Sequence, residues 1–446
     1  MKKSIITRRN FLGKTATAGI AGIVVPSIIT GCARETEKRV ELPLMLDRAP
    51  DGPILKAGLI GCGGRGTGAA INFLDAGPNL KIVALGDTFQ DRVDNCRATL
   101  LKSKGQEIAI ENCFVGFDAF EKVIASDVDI ILDATPPYFR PQILAAAIQA
   151  GKHVFAEKPV AVDPVGVRSI MASAQKAKGK DLCIMPGTHY RHQRDRAANW
   201  QQVSRGAIGE IVGGNIYFNM QKLWHRDPNP AWSEMEYMIR DWVNWCWLSG
   251  DHIVEQHVHN IDLMNWFTGT HPVKATGFGS RQRRVTGDQY DNFSVDFVFE
   301  NGIHFHSMCR QINGCTPNVS DRIQGTKGST DCTGAVYDIK GNIIWQYEYP
   351  PDKDGNPGKG SIVEPHFQEQ ITFVTAIRNG KVINEIEKTA VATLVAIMGR
   401  VSAYTGKEVT YEEMMNSDMQ LGPKEFNFGS VDIPKMVPVP GLAYTG

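Results

Sequence analysis

Three groups of residues have types and spacings that could do chemistry. The first is Gly61-Cys62-Gly63-Gly64-Arg65-Gly66, which fits GxGxxG. Alone that pattern is weak, because glycine-rich turns are common. Here it follows an apolar run and opens a helical pattern, where glycines allow a tight turn and a helix N-terminus faces a pyrophosphate. Asp87 ends the next apolar run, close to the spacing of a carboxylate that binds adenosine ribose hydroxyls. A carboxylate there repels a 2′-phosphate, so NAD is expected over NADP, with nearby Arg92 keeping NADP open. The second group is Ala156-Glu157-Lys158-Pro159, at the end of another strand-like run. The third is HIVEQHVHNIDLMNWFTG, residues 252–269. As one helix it puts Glu255, His259, Asp262 and Trp266 on one face. A carboxylate beside an imidazole suits proton transfer, since His titrates near neutrality. A polar solvent face and a cation site remain open for this helix. His257 falls off the face and reads as an ordinary buried histidine.

These groups need a scaffold. From Ile54 the chain alternates short apolar runs (54–61, 81–87, 129–135, 153–159, 182–187) with helical patterns (67–76, 89–103, 141–151, 165–178), the signature of a parallel α/β sheet. After Pro186 come long alternating stretches at 211–220, 292–302 and 304–311, which predict a mainly antiparallel sheet. Helical patterns at 364–379 and 388–405 follow. The expected fold is an α/β Rossmann domain (54–187), then an α+β domain with a large, mainly antiparallel open sheet (188–410), then a C-terminal extension (411–446). A chain of 446 residues accommodates both domains. Lys+Arg equals Asp+Glu at 48 each, which argues against nucleic acid or an anionic membrane surface as the main partner. Nine scattered cysteines without a CxxC pair argue against a zinc cluster.

GCGGRG, Asp87, the Ala134-Thr135-Pro136-Pro137 segment, Glu157-Lys158-Pro159 and the 252–269 helix together resemble the Gfo/Idh/MocA family, the glucose-fructose oxidoreductase and inositol dehydrogenase group. The resemblance covers nearly all of residues 54–410. It implies that Gly61, Gly63, Gly64, Arg65, Gly66, Asp87, Thr135, Pro136, Glu157 and Lys158 bind NAD. It implies that Lys158 faces the nicotinamide and the reacting hydroxyl, that the Lys158–Pro159 peptide is cis, and that His259 with Glu255 relays a proton. Family members typically carry aspartate where this chain has Glu255, which leaves that residue's role open. Asp262 matches a later family carboxylate and is expected to orient His259 on the substrate side of the site. Tyr190, Arg191 and His192 are candidate substrate binders or interdomain contacts. Trp224, Trp232, Trp242, Trp245 and Trp247, around Arg226, Arg240 and Asp241, are candidate sugar-stacking faces or core. No metal is required.

The expected reaction is hydride transfer between a secondary alcohol of a sugar, glycoside or polyol and tightly held NAD. A glycosidase or epimerase that oxidises its sugar transiently is the runner-up, and a non-catalytic sugar-binding lipoprotein is the rival from another class. Residues 1–32 read as a leader. Thr7-Arg8-Arg9-Asn10-Phe11-Leu12 resembles a twin-arginine export motif, and Ile29-Thr30-Gly31-Cys32 a lipobox that would lipidate Cys32. Residues 33–53 then form a tether, and the protein is expected outside the inner membrane, in the periplasm, anchored by lipid. A dimer or tetramer is expected by analogy with the family.

Overall fold

The computed structural model describes residues 45–358, 360, 362–442 and 444. The leader motifs, Cys32 and most of the tether lie outside the described residues. The first sheet has strands β1 (Leu55–Ile60), β2 (Leu80–Asp87), β3 (Cys113–Val115), β4 (Ile130–Asp133), β5 (His153–Ala156) and β6 (Ile184–Pro186), ordered β3-β2-β1-β4-β5-β6 and parallel throughout. Its central strands are largely apolar because helices cover both faces: β4 is buried along its length. Helices α1 (Gly64–Asp75), α2 (Gln90–Lys104), α3 (Ala119–Ala125), α4 (Arg140–Gln149) and α5 (Pro164–Lys178) supply that cover. The strand order reverses between β1 and β4, which opens a crevice at their carboxyl ends.

The second sheet has nine strands: β7 (Ile211–Met220), β8 (Lys274–Ser280), β9 (Asn292–Val298), β10 (His304–Gln311), β11 (Asn318–Gly325), β12 (Gly328–Thr330), β13 (Ala335–Asp338), β14 (Ile343–Gln346) and β15 (Val409–Thr410). Their order is β14-β13-β12-β11-β7-β10-β9-β8-β15. All neighbours are antiparallel except β7 and β10, which pair in parallel. Alternate residues of β9 and β10 are buried, so one face packs and the other stays accessible. The helices here are α6 (Arg194–Ser204), α7 (Glu234–Arg240), α8 (Cys246–Ser249), α9 (His252–Glu255), α10 (Val258–Thr268), α11 (Pro365–Arg378), α12 (Ile386–Thr405) and α13 (Tyr411–Asn416). Among the described residues, no helix is long and apolar enough to cross a membrane.

Three departures from the sequence reading matter for the site. The single helix expected over 252–269 breaks at Gln256–His257 into α9 and α10. Helix α11 packs on α1, so the chain returns to the Rossmann domain between β14 and β15 of the second sheet. The end of the expected tether also packs: Ala49 is buried and its amide donates to Ala76, while Arg194 donates to Leu46 and Asp47. Arg400 on α12, fully buried, donates at 2.9 Å both to Val162, just beyond Lys158, and to Gly250, just before α9. It ties the two chain segments that carry Lys158 and Glu255.

Candidate active site

The β1–α1 turn floors a cleft of about 580 Å³. Gly61 takes φ +90°, and a Cβ on Gly66 would stand 1.8 Å from the Gly61 carbonyl oxygen, so only glycine closes this turn. Ideal Cβ atoms on Gly63 and Gly64 would meet nothing within 4 Å, so bare backbone faces the cleft at the start of α1. Asp87 enters from the end of β2. Its carboxylate accepts from Cys62 N at 2.7 Å and from Phe89 N at 3.0 Å, which fixes it at the cleft wall. Thr135 and Pro136 line the same space, as do Arg65, Arg92, Arg226 and Arg240. The donor set fits a dinucleotide: exposed backbone at a helix N-terminus and arginines suit a pyrophosphate, and Asp87 suits ribose hydroxyls.

The roof comes from elsewhere in the chain. Trp224 and Trp242 meet edge to face at 6.1 Å and line the cleft, whereas Trp245 and Trp247 are buried in core. Arg240 stacks 3.9 Å over Phe89 and pairs with Asp91 at 2.9 Å, joining α7 to the start of α2. Phe426 and Phe428 of the C-terminal segment pack on Phe117 at 6.0 and 5.2 Å. Trp224 and Trp242 thus line the same cleft as the glycine-rich turn and Asp87, whereas Lys158 and His259 are not among its lining residues.

Lys158 follows β5 and is joined to Pro159 by a cis peptide. Its Nζ donates to the Glu255 carbonyl oxygen at 2.5 Å and to Glu255 Oε1 at 3.1 Å. The break between α9 and α10 explains the first contact. In an unbroken helix that carbonyl would accept the His259 amide, which instead points at Gln256. His259 is buried and its Nδ1 has no partner. Burial, then the nearby His189 and Lys158, hold its pKa well below the usual histidine range, so it is a neutral imidazole. The His189 ring meets it at 4.4 Å and the Tyr190 ring at 5.1 Å. His189 is itself pushed down to about 2 by burial and by His366. Among the described residues, no group of three or more His, Cys, Asp or Glu is arranged to hold a metal ion.

Both halves of this architecture match one family. The NAD-binding Rossmann model of the GFO/IDH/MocA oxidoreductases matches residues 55–187, and the family's C-terminal domain model matches residues 200–331. The chain belongs to the GFO/IDH/MocA family. It is similar to an α-N-acetylgalactosaminidase of Shewanella oneidensis, 25% identical over 49% of this chain and 47% of that one. The chain thus spans about half the length of that group of curated relatives. It is also similar to an inositol 2-dehydrogenase of Rhizobium meliloti, 23% identical over 62% of this chain and 74% of that one. Its fold is that of a levoglucosan dehydrogenase solved with NADH, with a TM-score of 0.62 at 19% identity over 81% of this chain and 99% of that one.

Several GFO/IDH/MocA positions acquire partners here that their spacing did not indicate. Glu255 engages Lys158 rather than His259. Asp262 does not orient His259: both its oxygens are held by Arg191, at 2.7 and 2.9 Å, in a buried pair. Their matched forks, turned inward, brace α10 against the crossover after β6, which corrects the expectation for Asp262 and gives Arg191 the structural contact that was its alternative. His192 is buried with both ring nitrogens unpartnered, and burial pushes it down to about 4. Glu157 is buried behind the loop. Burial raises its pKa, but Arg65, at 2.5 Å, and Arg140 outweigh this and hold it below the usual range. The sequence reading passed over His189 and His366. His366 opens α11, stacks on His189 at 4.1 Å, and is held by Glu364 at 2.5 Å. Its only sequence signal is a histidine two residues after a capping carboxylate.

Proposed function

We propose that the protein is an NAD-dependent oxidoreductase acting on a secondary hydroxyl of a sugar, glycoside or related polyol. The observation that carries this reading is Lys158 beyond the carboxyl end of β5, held by Glu255 in a site that also contains a neutral His259. An ammonium there stabilises a developing alkoxide, and the neutral imidazole can take the hydroxyl proton. Tyr190, against the His259 ring, would read a neighbouring hydroxyl. Gly63, Gly64, Asp87, Thr135 and Pro136 would hold NAD, which supplies the hydride acceptor when bound. Support for a sugar-type substrate comes from the inositol 2-dehydrogenase and levoglucosan dehydrogenase relatives.

The cofactor is tightly held and recycled in this reading. The roof of Trp224, Arg240, Trp242 and Phe426 would slow its exit, and twin-arginine export would carry it out inside the folded protein. A lipid on Cys32 would then anchor the enzyme, working as a dimer or tetramer, at a periplasmic membrane face. The α-N-acetylgalactosaminidase relative favours a second reading, glycoside cleavage or epimerisation through transient oxidation of the sugar. The test is to purify the protein without added nucleotide, release and identify what it carries, and add sugars while following absorbance at about 340 nm. Bound NAD that is reduced by a sugar, with several turnovers and none added, is expected. Empty, folded protein that works only with added nucleotide would overturn retention. Protein that carries or binds NAD but whose spectrum no sugar, glycoside or polyol changes would overturn the activity.

A further inference from the structure

We propose that His366, oriented by Glu364, is a second acid–base group of this active site, serving the carbon next to the one that is oxidised. The proposal rests on the reading above, in which the site handles a carbonyl on a sugar-type ring. Its basis is a side-chain arrangement that no local pattern announces.

Glu364 is the N-cap of α11. One of its carboxylate oxygens accepts from Phe367 N at 3.0 Å, and the other accepts from His366 Nδ1 at 2.5 Å. A carboxylate pinned at both oxygens fixes the imidazole tautomer: Nδ1 carries the hydrogen and Nε2 keeps its lone pair. The ring lies nearly flat on His189, at 4.1 Å and 27°, and His189 in turn meets His259 at 4.4 Å. His366 is about one-third exposed, while His259 is buried. The cluster therefore contains two imidazoles of different construction. His259 has no carboxylate partner and sits with Lys158, where the hydroxyl proton must go. His366 has the carboxylate and stands one ring away from His259, with His189 between them.

Oxidising an alcohol needs one proton acceptor. A second is needed when the carbon beside the new carbonyl also loses its proton, which the carbonyl makes acidic. In that step the α-proton moves to His366 Nε2. The C–H electron pair becomes the C=C bond of an enolate, and the carbonyl π pair moves onto oxygen, where the Lys158 ammonium stabilises it. Return of the proton to the same carbon restores the ketone. Alternatively, the enolate pair expels a leaving group from the next carbon, which departs with its bonding electrons. No oxidant or reductant enters either route. A second base beside the first serves a step that hydride transfer alone does not include, so the dyad points toward epimerisation or eliminative cleavage.

The experiment places the purified full-length protein in D2O with a methyl 3-ketoglucoside and, separately, with an inosose. Deuterium entering the carbon beside the carbonyl is followed by NMR and mass spectrometry. Wild-type protein should wash deuterium in well above buffer, and His366→Gln should slow this on the order of 10²–10⁴-fold. His366→Ala should regain part of the rate with added free imidazole, which a merely structural role would not allow. Unchanged nucleotide content serves as the folding check on each variant. No wash-in above buffer with either ketone, or wash-in undiminished in His366→Gln, overturns the proposal. Reduction of bound nicotinamide by the corresponding alcohols is recorded separately, so loss of the dehydrogenase reading is distinguishable from loss of this one.

Discussion

The floor of the nucleotide cleft comes from residues 60–143, one unbroken stretch of chain. The imidazole cluster takes Lys158, His189, His259 and His366 from four segments spread over two domains. The cleft is built largely from backbone: a turn that only glycine closes, a helix start, and a carboxylate fixed by two amides. The cluster is built from side chains, and each depends on a contact made by a distant element. Glu255 is available to Lys158 because a helix breaks, and His366 meets His189 because α11 crosses back to the first domain. A backbone site tolerates variation around it, whereas a side-chain site fails when any one brace is removed.

Five changes would break or sharpen that contrast. The largest effect is expected for Lys158→Met, which should lower turnover on the order of 10²–10⁴-fold while leaving nucleotide content near wild type. Equal loss of both would mean that the two regions are not separable. Next, Asp262→Ala leaves Arg191 buried without its partner and should cost about 3–5 kcal/mol of stability in a denaturant titration. A stable variant that lost only activity would return Asp262 to the substrate side.

The buried histidines give a pH signature. His189, His192, His257 and His259 all have folded pKa values below the usual 6.5, with His257 pushed down to about 3 by burial. The unfolded chain binds these protons first, so their stabilising effect is complete above pH 6.5. It should fall below that by up to about 1.4 kcal/mol per pH unit for each, until the folded pKa is reached. Melting temperatures that stay flat from pH 7 to 5 would contradict neutral burial. The acidic limb of activity should likewise lie below pH 6.5, because His259 is still unprotonated there.

Asp87→Ala should weaken NAD roughly 10–100-fold, the size of one charge-assisted hydrogen bond, and narrow the preference over NADP. Unchanged relative affinities in a titration of nucleotide-free protein would place ribose recognition elsewhere, with Arg92 the first alternative. The smallest effect is expected for Arg240→Ala, which removes a partly exposed ion pair and a stacked guanidinium from the roof. It should speed NADH release several-fold, as read by nucleotide fluorescence. No change would mean that Phe426 and the tryptophans alone close the cleft.

The Rossmann half was readable because its signals are local. Buried parallel strands are apolar runs, and the GxGxxG turn needs glycine for reasons of backbone geometry alone, so β1, β2, β4, β5 and their helices fell close to their expected limits. Strands β11 to β14 were missed. Three of the four have only three or four residues, and β11 is exposed at five of its first seven positions, so neither carries a sustained alternation. The 252–269 segment shows the limit most clearly. Its periodicity fits one helix, and no residue type in it marks the break at Gln256.

What the sequence determined by itself was the fold, a Rossmann sheet with a glycine-closed turn followed by a mainly antiparallel sheet, while Asp87, Lys158 and His259 entered as candidates. The fold signals depend on backbone conformations and spacings within about 30 residues, the span of one βαβ unit. Only the tertiary structure decided which charged groups became partners. Lys158 took Glu255, Arg191 took Asp262, and His366 took its place on His189. The physical reason is that a side-chain pair forms when packing brings two groups within about 4 Å in a buried place, and that distance is set by the whole core rather than by position along the chain.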